Sequence, residues 1–251
     1  MGDDGIDGVR ALLPKALGRL PREVRLRGQN SLEGFRKAKE LLNVDREMAS
    51  FRAITAEEEA ASALFVSLKR QGYDGADKIN LKDHYTKAAL GPFIQAVAHS
   101  LSHDEKFNIS LSINASEPSI EVAIPVDQFG GPDDIIIKLE HPLGMLRKVG
   151  DLPASDLYDK SLEYVSGSRK LHKLIASEAN ARNRLLYASD SNLPSSKVTI
   201  EGINQRQKRA EIALFACIAV LQTNHKQAMA TQCIAAFLKV IDKGARKGCQ
   251  I

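Results

Sequence analysis

Three groups of residues in this chain have types and spacings that could do chemistry. Asp133 and Asp134 precede the run Ile135-Ile-Ile-Lys-Leu139, and Glu140 and His141 follow it. Carboxylates and an imidazole at the ends of a short strand are the donors with which metal-dependent nucleases hold divalent ions over a phosphate. The usual acid-x-lysine spacing is absent, because Lys138 follows Ile136 and Ile137. Asp133 and Asp134 also suit a simple turn after Gly130-Gly-Pro132. A metal-dependent hydrolase or nuclease acting on nucleic acid or nucleotides is the alternative reading of the chain. Only that reading calls for a divalent metal; the leading one needs no cofactor.

The second group is basic. Between Arg10 and Lys39, nine basic residues stand against two acidic ones, a local excess of +7 compared with +4 for the whole chain. Arg19, Arg22, Arg25 and Arg27 recur at two- and three-residue spacing. That spacing suits a phosphate backbone, where each guanidinium displaces a counterion. Arg169, Lys173, Arg182 and Arg184 fall on a predicted helix over 169–187, where fixed guanidinium groups suit an anion or an acidic partner. The bland account of both sets is a solvated charged face.

The third group is mixed. Glu57-Glu-Glu59 on one predicted helix is followed by Asp83, His84 and Lys87 at the start of the next. Acids, histidine and lysine on adjacent helices have the composition of a site, and equally that of a salt-bridged surface. His99 and His103 are four residues apart, a spacing that can hold a transition metal, although a helix C-terminus favours histidine through its dipole alone. The sequence contains no GxxxxGK[ST] phosphate loop, no GxSxG elbow and no HExxH pair.

The elements that must position these groups are legible as periodicities. Phe107, Ile109, Leu111 and Ile113 alternate with polar residues, as do Ile120, Val122, Ile124 and Val126 with Ser119, Glu121 and Ala123. Alternation predicts two strands with one face on a core, and the turn-rich link Asn114–Ser119 predicts an antiparallel hairpin. The run 135–139 extends it to about three strands over roughly 106–140. Helices are predicted from Ser31, from Thr55 (with Glu58 at the capping-box spacing) to Gly72, and from Asp83 to about His103 with Pro92 inside. Further helices are expected over 155–165, 169–187, Glu201–Gln222 and Lys226–Lys243, the last two forming a long pair.

Glycine and proline interrupt residues 1–30, which read as a flexible basic arm; Val9–Leu20 has the makings of a short helix within it. Residues 31–251 read as a single α+β domain, mostly helical with a small antiparallel sheet. Hydrophobic residues at 43% and charged residues at 26% are globular values and exclude a disordered chain. Aromatics at 5%, with no Trp, disfavour single-strand recognition by base stacking. Cys217, Cys233 and Cys249 show no paired spacing, which suits a reducing, cytoplasmic setting. The apolar stretch Ala210–Leu221 is too short for a membrane span of about 20 residues. The leading reading is a cytoplasmic, non-catalytic binding or assembly protein. Its basic arm and Arg-rich helix face would meet an acidic partner, nucleic acid or protein, without contacting a membrane. The edges of a narrow sheet would suit homo-oligomerisation.

Overall fold

Asp45 starts the helix around which the chain is built. The computed structural model describes residues 3–102, 110–114, 119–125, 136–144, 174–187 and 195–248. In it the Asp45 carboxylate accepts a hydrogen bond from Met48 N at 2.9 Å and caps helix α3, Arg46–Arg70. The Thr-x-x-Glu spacing at Thr55 places the start too late. Thr55 lies inside α3, where its hydroxyl donates to the Arg52 carbonyl at 3.0 Å instead of accepting from a free N–H at a helix start.

Helix α2, Arg22–Leu41, precedes α3 and pairs with it through the short link 42–45. The pair is antiparallel: Glu23 at the start of α2 meets Arg70 at the end of α3 at 2.7 Å. Buried Val24, Gly28, Ser31, Phe35 and Ala38 on α2 recur at alternating four- and three-residue steps. Ala49, Ala53, Ala56, Ala60 and Ala63 do the same on α3. This is the spacing of helices packed along one seam, built here from small residues that let the backbones approach closely. At Gly34 a Cβ would lie 2.7 Å from the Ala56 Cβ, so only glycine fits.

Residues 10–30 are not a free arm. Helix α1, Asp3–Leu17, runs to a corner at Gly18–Pro21, and Leu13, Ala16, Leu17, Leu20 and Val24 are all buried in the common core. Gly28 is a packing position, where a Cβ would press on Leu17 and Leu214. Arg10 spends its charge on buried Glu211, 2.7 Å away. Apolar residues at helical spacing between the basic ones drive this burial and outweigh the glycines and prolines.

After a 3₁₀ turn at Ala76–Lys78 come α4, His84–Ser102, and three strands: β1, Ser110–Asn114; β2, Ser119–Pro125; and β3, Ile136–Leu139. The helical stretch 174–186 is called α5, followed by α6, Ile200–Leu221, and α7, Ala228–Gly248. The fold is α+β, mostly helical with a small antiparallel sheet, as the sequence predicts. The expected helix 155–165 lies outside the described residues. Helix α3 packs against α2, α4 and α6. Phe65 of α3, Phe93 of α4 and Phe237 of α7 join in the core, with ring centroids 5.5 Å and 5.3 Å from Phe237.

The sheet order is β1-β2-β3, with Ile113 opposite Ile120 and Val122 opposite Leu139. Ile120 and Val122 are buried, as their alternation requires. β3 ends before it reaches Ile120, and Gln222 takes its place there. Its Oε1 accepts from Ile120 N at 2.7 Å and its Nε2 donates to Ile120 O at 3.1 Å. One side-chain amide thus continues the ladder and ties the sheet to the end of α6.

Gly34→Ala is expected to cost about 1–3 kcal/mol through overpacking, although alanine is the better helix former. Urea unfolding would show it as a lower midpoint at unchanged slope.

Candidate functional site

The charged residues that the fold brings together lie between α3, α4, α5 and α6. Glu57 and Glu58 are neighbours on α3 and point to different partners. Glu57 takes two arginines from α6. Arg209 approaches side-on, with Nε 2.6 Å from Oε1 and Nη2 3.0 Å from Oε2. Arg206 donates to Oε2 at 2.6 Å and with its other nitrogen to Glu178 of α5. None of these four side chains is more than a fifth exposed. Burial works against the charge on Arg206, but Glu57 and Glu178 outweigh it and hold the guanidinium above its ordinary range. Gly91 of α4 makes the room, since a Cβ there would collide with Glu57 Oε1 and lie 2.9 Å from Arg209 Nε.

Glu58, itself buried, faces α4. Its Oε2 lies 3.0 Å from His84 Nδ1 and 3.5 Å from Lys87 Nζ. Asp83 sets up this end of α4, its carboxylate accepting from Thr86 N at 2.9 Å and Tyr85 N at 3.2 Å. From α5, Arg182 Nη1 reaches within 2.7 Å of His84 Nε2, and its guanidinium carbon lies 5.3 Å from the centre of the Phe51 ring. The Glu58 carboxylate can only accept, so His84 Nδ1–H donates to it. The resulting Glu–His pair resembles the start of a general-base relay. The same Arg182 nitrogen also lies 3.1 Å from Nδ1, so it covers the imidazole and is not in line with the Nε2 lone pair.

The residues singled out from the sequence fare differently. Arg182 joins this cluster, while Arg184 turns back on its own helix and donates to Ser177 O at 3.1 Å. Arg169 and Lys173 lie outside the described residues, so the Arg-rich face is seen only in part. Arg25 donates to the Gly18 carbonyl at 3.3 Å and fastens the α1–α2 corner, while Arg27 donates to the Glu23 carbonyl at 2.6 Å within α2. Arg19 and Arg22 are exposed at that corner. Arg19 and Arg70 flank an open cleft of about 720 Å³ that Gln71, Ser119, Gln222 and Asn224 also line.

For the metal reading, Asp133 and Asp134 are outside the described residues, as is His103. Glu140 is exposed, and the His141 ring lies edge-on to His225 with centroids 6.1 Å apart. Among the described residues no three of His, Cys, Asp and Glu are grouped to hold a metal ion. Cys217 does not serve as a nucleophile at neutral pH. Burial pushes its thiol up to about 12, with a hydrogen bond to Ser67 pulling only weakly the other way.

Arg206, Arg209 and Glu178 did not stand out in the sequence. Their signal is two arginines three residues apart on a helix that is apolar on nearly every side from Ile212 to Leu221, which need acids on a neighbouring helix to face. Comparison with protein-family models, with curated proteins and with solved structures returns no match.

Glu57→Gln keeps the shape of the side chain but leaves two guanidinium groups without their shared carboxylate. The expected loss is about 3 kcal/mol of folding stability, measured by chemical denaturation. Cys217 is expected to stay unmodified when the native protein is treated with iodoacetamide at pH 8, and to label on unfolding, as peptide mass mapping would show.

Proposed function

We propose that the chain is a non-catalytic binding or assembly protein that meets an acidic partner at the corner between α1 and α2. The observation that carries this reading is the cleft flanked by Arg19 and Arg70, with Arg22 exposed beside it. A planar guanidinium matches a phosphate or carboxylate with two parallel hydrogen bonds. Among the described residues Arg70 is held by an exposed ion pair with Glu23. Such pairs contribute little, so an incoming phosphate can compete for the guanidinium.

Among acidic partners, duplex nucleic acid suits the corner best. Duplex binding rests on phosphate contacts, whereas single-strand binding rests on aromatic platforms, and this chain is poor in aromatics. The central charges support a binding role over a catalytic one, because Glu57, Glu58, His84, Arg182 and Arg206 are engaged with one another. The free thiols of Cys217 and Cys233 suit a reducing compartment, in keeping with a cytoplasmic protein.

The test is fluorescence anisotropy with labelled duplex DNA, duplex RNA and a polyglutamate peptide at two salt concentrations. Three phosphate contacts predict an affinity loss of roughly 40-fold between 50 and 200 mM salt. The triple variant Arg19→Ala, Arg22→Ala, Arg70→Ala should abolish duplex binding and leave the fold intact. Binding of polyglutamate alone would move the reading to a protein partner. Failure to bind any of the three probes would sink it.

A further inference from the structure

Helices α3, α4, α6 and α7, with Ile79 and Leu143, line a partly open cavity of about 220 Å³. Among the described residues its walls are Leu, Ile, Val, Phe, Ala, Met and Cys side chains. Protein cores are close-packed, and a void of this size forfeits the contacts its lining would otherwise make. Water does not repair the loss, because a buried water needs polar partners. Apolar cavities near 150 Å³ stay dry and take up apolar molecules. The cavity here is larger than that.

Its shape narrows the choice of occupant. The lining runs from Leu90 to Ala98 on α4 and from Met229 to Phe237 on α7. Eight residues of helix rise about 12 Å, so each helix offers an apolar wall about that long, which suits an extended aliphatic chain. The opening lies where the lining reaches solvent, at Ala98 on α4 and at Ile212 on α6, which is 46% exposed. Lys208 is exposed one helical turn before Ile212, on the same side of α6, and makes no ion pair among the described residues. The mouth of an apolar slot therefore carries a cation within reach of whatever protrudes from it.

We infer that this cavity binds a single aliphatic chain bearing an anionic head group, in its simplest form a medium-chain fatty acid. The tail fills the slot between α4 and α7, and the carboxylate meets the Lys208 ammonium at the rim. This site is separate from the arginine corner, and neither reading depends on the other.

Isothermal titration of the full chain with octanoate, decanoate and 1-decanol tests the assignment. Affinity should rise roughly fourfold per methylene from octanoate to decanoate, the value expected for burying each CH₂. Lys208→Ala should weaken decanoate and leave 1-decanol unchanged. Ala216→Phe, which fills the slot from α6, should remove binding of both; if that variant does not fold, Ala98→Trp at the exposed mouth blocks entry instead. Absence of binding by decanoate and 1-decanol overturns the proposal. So does binding that ignores chain length or survives the blocking variant. An unchanged decanoate-to-decanol ratio in Lys208→Ala overturns the assignment of the head group.

Discussion

The close approach of α2 to α3 is the constraint on which the rest of the structure depends. With Gly34 against Ala56 and alanines along the seam, the two backbones pack nearer than leucine-faced helices would. Small residues contribute little burial each, so the pair needs support on its other sides. Phe65 supplies it toward α7, where it meets Phe237, and α4 and α6 lie along further sides of α3. A helix packed on three sides has few positions left for charge. The acids it does carry must find partners on its neighbours.

That requirement accounts for the Glu57 and Glu58 pairings. A buried carboxylate without a cation is strongly unfavourable, whereas a paired one is near neutral against a well-packed apolar core. What the pairs add is selectivity among arrangements. Arg209 can grip Glu57 side-on in one rotational setting of α6 only, and Gly91 lets α4 pass at that same point. Glu58 then sets the start of α4 through His84 and Lys87, and Arg206 and Arg182 bring in α5. Sliding or rotating any of these helices would strand a buried charge. The apolar contacts could tolerate such a shift more readily.

The same physics decides what was legible in the sequence. The strands and the helices α4, α6 and α7 were legible because each carries an apolar face of large side chains at a clear period. The α2–α3 seam was not, because Gly28, Gly34 and the alanines contribute almost no apolar contrast, and glycine signals a break unless its neighbour in space is known. The arm was misjudged for that reason, and the start of α3 because two capping signals compete and Asp45 is the one used. Glu57, His84 and Lys87 drew notice through composition. Arg206 and Arg209 did not, since they lie 149 and 152 residues from the carboxylate that gives them meaning.

The C-terminal end of α6 shows how the sheet and the corner share one support. Its last carbonyls would be orphaned, and side-chain amides take them up: Gln227 donates to Ala219 O at 2.6 Å and Gln71 to Val220 O at 3.2 Å. Gln222 at the same end holds β2. Gln71 and Gln222 also line the cleft beside Arg19 and Arg70, but with their amides committed they offer it a rigid wall more than further donors. Under the proposed function, recognition there falls to the arginines, held at the edge of that wall. A fixed wall lowers the entropy lost when a charged partner settles against it. The residues that join the sheet to the bundle thereby prepare the corner as well.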